Sequence, residues 1–291
     1  MNKIVCHFTR KTVAFVAALI LANGIFGQEV LAQGAGDLIV TPTRVVLEGR
    51  DRAAQVTLSN QGSTAAVFRI SLIAMDMDEN GNLKEIEAGT GGVKTAEDLI
   101  RYAPRQIEIA PGATQVVRLS VRKPAGLEEG EYRSHMFFRA VPDESAGRNV
   151  ADDGQLQDNE LRVELIPIYG ITIPVIVRHG ELSADVGLSD VQVLAADADR
   201  PARISLNMTR AGDSSAFGDV TATYTPSGGG SVVVAQVTRV AVYTPRDSRR
   251  LVMPLRLPEG VTMGQGTLRV EYRATAKAGG HLLAESTVQL P

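Results

Sequence analysis

Imidazole serves both as a base near neutral pH and as a metal ligand, so the histidines are the first residues to place. The chain has four. His7 lies in an N-terminal leader described below, while His135, His179 and His281 fall on a strand, a linker and a late hairpin. A three-histidine metal site would require these distant segments to converge. The single cysteine, Cys6, also lies in the leader, which leaves no thiolate site and no disulfide framework. Gly212-Asp213-Ser214 echoes the nucleophile block of one kind of serine esterase. That chemistry also needs an Asp-x-x-His partner, and no aspartate here precedes a histidine by three, so the block reads as a turn. Ser120-Val121-Arg122-Lys123 has the Ser-x-x-Lys spacing, which works on one face of a helix. On a strand an odd separation puts the two side chains on opposite sides. Neither a dinucleotide-binding nor a P-loop glycine pattern occurs. These residues imply no enzyme, no cofactor, no metal and no small-molecule substrate.

The elements that carry them are short and alternating. Of 291 residues, 44% are hydrophobic and 22% charged, a balance suited to a packed core and not to wholesale disorder. Aromatics are 4% with no tryptophan, the net charge is −3, and basic residues do not cluster, which together exclude a nucleic-acid surface. Residues 1–32 read as a secretory signal peptide: Lys3, Arg10 and Lys11, then an apolar run over 12–26, then Val30-Leu31-Ala32 with small residues before a cleavage point after Ala32. A membrane anchor would need about 20 apolar residues, and Asn23 interrupts a shorter run. Removing three basic residues and one acidic residue leaves 27 basic and 32 acidic in a mature chain of 259 without cysteine. Its stability therefore does not rest on oxidation.

Segments 38–47, 54–60, 66–73, 107–109, 114–121 and 132–141 alternate apolar with polar residues and stop at Gly, Pro or Asn. An acidic turn spans 76–82, and Thr95, with Asp98 three residues on, predicts one capped helical turn over 95–101. A polar, acidic loop occupies 143–159, followed by a long strand over 160–177 and a linker at 178–181. A second set follows at 202–208, 219–224, 232–242, 250–255, 267–272 and 282–290. Regular spacing with turn residues between strands predicts an all-β chain of two sandwich domains, 37–178 and 181–291.

Three stretches taken in order resemble the periplasmic chaperones of the chaperone–usher pilus pathway. They are Thr43-Arg44-Val45-Val46-Leu47-Glu48-Gly49, then Ile109-Ala110-Pro111-Gly112-Ala113-Thr114 running on to Leu119, then Glu131-Tyr132 with Phe138-Arg139-Ala140-Val141-Pro142. The resemblance covers about 37–180 well, and the second half only as a sandwich of the expected size. It implies two immunoglobulin-like β-sandwich domains in an L arrangement, with a working cleft between them. It implies a periplasmic protein whose partners are pilin or fimbrial subunits and an outer-membrane usher. The chaperone caps a subunit's open groove by donating a β-strand, which shields edges that would otherwise aggregate. The class that competes is an exported immunoglobulin-like adhesin or fibre component, which would keep its own edges closed.

Leu161, Val163 and Leu165 alternate with Arg162 and Glu164, so a strand here aims its three apolar side chains at one surface. The resemblance makes this the donor strand; the residues alone also fit a half-buried core strand. Arg44 matches the family's cleft arginine, an anchor for a subunit's C-terminal carboxylate, and a guanidinium fork suits that task. The family pairs it with a lysine on the lent strand. Here no basic residue lies between Arg162 and Arg178, and Tyr169, Thr172 and Pro174 occupy the neighbourhood. Either Arg44 works with hydroxyl donors or the terminus is gripped differently. Glu131 and Arg178 match an ion pair at the domain junction, whose third, acidic member is not evident around 274–278.

The alternation predicts a directional result. Replacing Leu161, Val163 and Leu165 together with Ser should abolish subunit capture in a pull-down. A urea melt should move by no more than about 0.5 kcal/mol per exposed site, because exposed truncations cost little whereas buried ones cost several kcal/mol. Arg162→Ser with Glu164→Ser should leave capture largely intact. Strong destabilisation of the triple variant would place those side chains in the protein's own core.

Overall fold

In the computed structural model, residues 37–142 and 168–291 are described. Seventeen strands are distributed among four sheets in these residues. β1 (Leu38–Thr41), β3 (Ala53–Asn60), β8 (Thr114–Val121) and β6 (Ile100–Ala103) form one sheet in the order β1-β3-β8-β6. Facing it are β2 (Val45–Leu47), β10 (Gly170–His179), β9 (Gly130–Val141), β4 (Ala66–Met77) and β5 (Leu83–Ile86), with β7 (Gln106–Ile109) also paired to β4. Inward residues of both sheets make one core: Val56 and Leu58, Val117 and Leu119, Phe68 and Ile70, Met136 and Phe138, Ile173 and Val175. The two-residue period fixes this, since one face of each sheet must be apolar to bury against the other.

The second sandwich packs β11 (Ala184–Leu194), β12 (Arg203–Gly212) and β15 (Ser248–Pro254) against β14 (Val232–Val242), β13 (Ala216–Pro226), β16 (Gly266–Ala274) and β17 (Leu282–Leu290). Its core takes Ile204, Leu206 and Met208 from one sheet and Val220, Tyr224, Leu268 and Tyr272 from the other. The Tyr272 hydroxyl donates to the Val240 carbonyl at 2.9 Å, which satisfies a polar group that is otherwise sealed in.

Three expectations change. The segment over 38–47 is not one strand. β1 pairs with β3, whereas β2 pairs in parallel with β10 in the opposite sheet, and the chain crosses between them at Pro42. Proline has no N–H to continue the first ladder, so the break falls where the sequence puts it. The helical turn over 95–101 is a 3-10 turn at Glu97–Leu99, preceded by Ala96 and without a side-chain cap. Thr95 does not cap it: the Ala96 N–H is satisfied by Ser134 Oγ at 3.0 Å, and Leu99 and Ile100 are buried in the first core as the backbone enters β6. Strand β11 lies outside the segments that alternation marks, because Ser, Asp and Gly dilute its pattern and a bulge at Asp190 breaks its register with β12.

The packing predicts a contrast within one urea series. Phe138→Ala, at a site with no exposure, should cost about 3–5 kcal/mol, while Val233→Ala, 55% exposed, should stay within about 0.5 kcal/mol.

Candidate functional site

A third, small apolar cluster joins the two sandwiches. Met77 and Ile176 from the first meet Ala241 and Tyr243 from the second, with Val46 and Phe217 packed beside them. Around it the contacts are polar and dominated by arginine. The Arg246 Nη2 lies 2.6 Å from Asp76 Oδ2, the Arg250 N–H donates to the Glu79 carbonyl at 2.6 Å, and Arg133 Nη2 donates to the Thr244 carbonyl at 3.1 Å.

Glu131 is the second residue of β9 and Arg178 the last but one of β10, and the antiparallel register sets them directly opposite. Arg178 Nε donates to Glu131 Oε2 at 3.1 Å, Nη1 reaches Glu48 Oε2 at 3.3 Å, and Nη2 donates to the Ser215 carbonyl at 3.1 Å. The Glu131 side chain is fully buried. Its partners from the second sandwich are the Ser215 N–H at 3.0 Å and the Ser215 hydroxyl, which also accepts from the Thr244 N–H at 3.1 Å. So, beside the first sandwich's own Glu48, the member that the second sandwich supplies to this junction is a serine and not an acid. Its only trace in the sequence is its place after Gly212-Asp213-Ser214, which is indeed a bend here. Arg210 shapes that bend by donating to the carbonyls of Gly212 at 2.7 Å and Ser214 at 3.2 Å.

Arg44 stands just before β2, facing the second sandwich and half-buried. Its Nη1 donates to the Tyr243 hydroxyl at 3.1 Å, and its guanidinium lies 4.3 Å over the Phe217 ring. It has no acidic partner among the described residues. A stacked guanidinium keeps its N–H edge free for an acceptor in its own plane. The cleft around it has a cavity volume of about 920 Å³, with Thr43, Arg178, Phe217, Arg239 and Lys277 in its walls. Tyr243, Phe217 and Ser215 were invisible as site residues in the sequence, since only packing of the two sandwiches brings them to Arg44 and Glu131.

The strand β10 carries the other feature. It pairs with β9 along its whole length, but β2 covers only Val175–Val177 on the other side. Among the described residues, 170–174 present an open edge that ends where Arg44 leads into β2. Leu161, Val163 and Leu165, expected as the donor strand, lie outside the described residues. Of the histidines, His135 is buried, His179 is half-buried at the end of β10, and His281 is exposed. No group of three His, Cys, Asp or Glu is placed to hold a metal among the described residues.

No family model matches the chain, and no curated protein matches it. Among solved structures, the YadV chaperone aligns with 87% of this chain and 100% of its own length, at 15% identity and a TM-score of 0.43. The Pseudomonas aeruginosa CupB2 chaperone aligns with 87% of this chain and 98% of its own, at 13% identity and 0.43. The CsuC–CsuE chaperone–tip adhesion subunit pre-assembly complex of Acinetobacter baumannii aligns over 87% and 97%, at 11% identity and 0.43.

Burial pulls the His135 imidazole down to about 3, and the Arg133 and Arg44 charges push in the same direction. The native state therefore stays unprotonated while the unfolded chain takes up a proton below its ordinary value of 6.5. Stability from this group is complete above pH 6.5 and is lost as pH falls toward 3, at up to about 1.4 kcal/mol per pH unit. His135→Leu should thus lose less stability than the wild type between pH 7 and pH 4 in urea melts. An equal offset at both pH values would contradict this.

Proposed function

We propose that this chain is a periplasmic chaperone that captures pilus or fimbrial subunits by strand addition and delivers them to an outer-membrane usher. The observation that carries the reading is the edge at 170–174, open among the described residues and ending at Arg44, a cation with no acidic partner among them. An exposed row of N–H and C=O groups is a template for another chain's strand. The polarity of that strand follows from charge. β2 runs parallel to β10, so an added strand in line with β2 ends with its carboxyl terminus at Arg44. An antiparallel strand would bring an ammonium to the same guanidinium, which repels it.

Leu161, Val163 and Leu165 would extend this edge into the subunit's groove, on the strength of their alternation. Division of labour between domains 37–178 and 181–291 belongs to the same proposal. The first supplies the edge and Arg44, and the second backs Arg44 with Tyr243 and Phe217. Glu131 and Arg178, with Ser215, would hold the two at a fixed angle. The one carboxylate–hydroxyl pair among them, Glu131 with Ser215, is buried in the junction and holds the sandwiches together, so the cleft's chemistry is that of binding.

Arg44→Glu should remain folded and exported yet fail to co-purify with a pilin encoded in a neighbouring reading frame. The lost hydrogen bond and ring contact should cost about 1 kcal/mol in a urea melt. Co-purification at wild-type yield would refute the anchor.

A further inference from the structure

The cleft holds a second arginine that no role above uses. Arg239 lies on β14 where the ladder to β13 slips: Gly218 pairs with Val240 and Val220 with Val237, leaving Thr238 and Arg239 bulged. Its φ is +59°, the left-handed region that disfavours any residue with a Cβ. Asp219 holds that conformation by accepting the Arg239 backbone N–H at 2.8 Å. A strained residue that its surroundings over-determine is a mark of a functional position, and the inference runs from the strain outward. The bulge throws the side chain off the sheet into the cleft, where Nη1 reaches Thr43 Oγ1 at 3.3 Å, one residue from Arg44.

The charges around the two arginines are unequal. Arg178, a third arginine in the cleft wall, is already shared between Glu131 and Glu48. Among the described residues neither Arg44 nor Arg239 makes an ion pair, and Asp219 receives a backbone N–H, not a guanidinium. Two unpaired guanidinium groups, one per sandwich, thus flank the end of the open edge.

We propose that Arg44 and Arg239 close from opposite sandwiches on a single carboxylate, the C-terminal carboxylate of the extended chain bound along β10. This rests on the strand-addition reading above. It assigns the second cation to the second sandwich, in place of a basic residue on β10, which offers Thr172 and Pro174 beside the edge. A clamp split in this way selects a free carboxylate over a carboxamide, because an amide's N–H₂ would face donors and leave them unsatisfied. It also makes capture depend on the two sandwiches staying in register.

The test uses the mature protein with 15N-labelled arginine, titrated with sodium acetate against sodium chloride at equal ionic strength. The Nε–Hε resonances, assigned through Arg44→Lys and Arg239→Lys, should move together along one saturation curve in acetate only. Arg239→Gly should raise the acetate Kd about tenfold, while its Tm stays equal or rises, since glycine adopts positive φ without strain and keeps the N–H to Asp219. A shift of Arg44 alone, two separate curves, or wild-type acetate affinity in Arg239→Gly overturns the clamp and leaves the Arg44 anchor standing. No acetate-specific shift at either arginine overturns both.

Discussion

The structure turns on one buried carboxylate. Glu131 has no access to solvent, and an ionised group removed from water must recover its lost hydration from fixed donors. Arg178 supplies a charged one from the neighbouring strand; Ser215 supplies two from the other sandwich. Removing any donor strands the charge, so the sandwiches can separate or rotate only against a penalty of several kcal/mol. That constraint seats Tyr243 and Phe217 against Arg44. It also explains the tightly bonded bend that Arg210 builds, since Ser215 must be aimed as well as present.

Tyr243 is the second pivot. Its ring takes Arg133 at 4.2 Å and Arg44 at 5.4 Å, with the edge of His135 at a centroid distance of 6.3 Å. Arg133 is 1% exposed, and burial lowers its basicity while the nearby Tyr243, Glu131 and Asp76 oppose the shift. Its Nε and Nη1 have no hydrogen-bond partner among the described residues, so the ring's π face carries much of what holds the cation there. The same ring's hydroxyl accepts from Arg44, a task phenylalanine could not perform.

Strands were legible where the period of two was clean. Thr114–Val121, Val232–Val242 and Leu282–Leu290 fall where alternation put them. Legibility failed where backbone chemistry overrode pattern: Pro42 split one apparent strand between two sheets, and Ser, Asp and Gly hid β11. Arg44, Glu131 and Arg178 could be picked out through their sequence context. Ser215, Tyr243 and Arg239 could not, because their significance lies in what packs opposite them, and no local pattern encodes a partner 84 or 199 residues away.

The crossing at Pro42 has a consequence for how the molecule reports on itself. Arg44 owes its position to a segment that belongs first to one sheet and then to the other, and its backing rings come from the second sandwich. A site assembled from both sandwiches needs both of them folded, so in the proposed role its occupancy would belong to the assembled molecule. Ligand and fold are then thermodynamically linked: a carboxylate at a hundred times its Kd would add about 2.7 kcal/mol to global stability. Under the proposed capture role, a laden molecule would outlast an empty one wherever unfolded chains are destroyed, and its lifetime would track the supply of subunits.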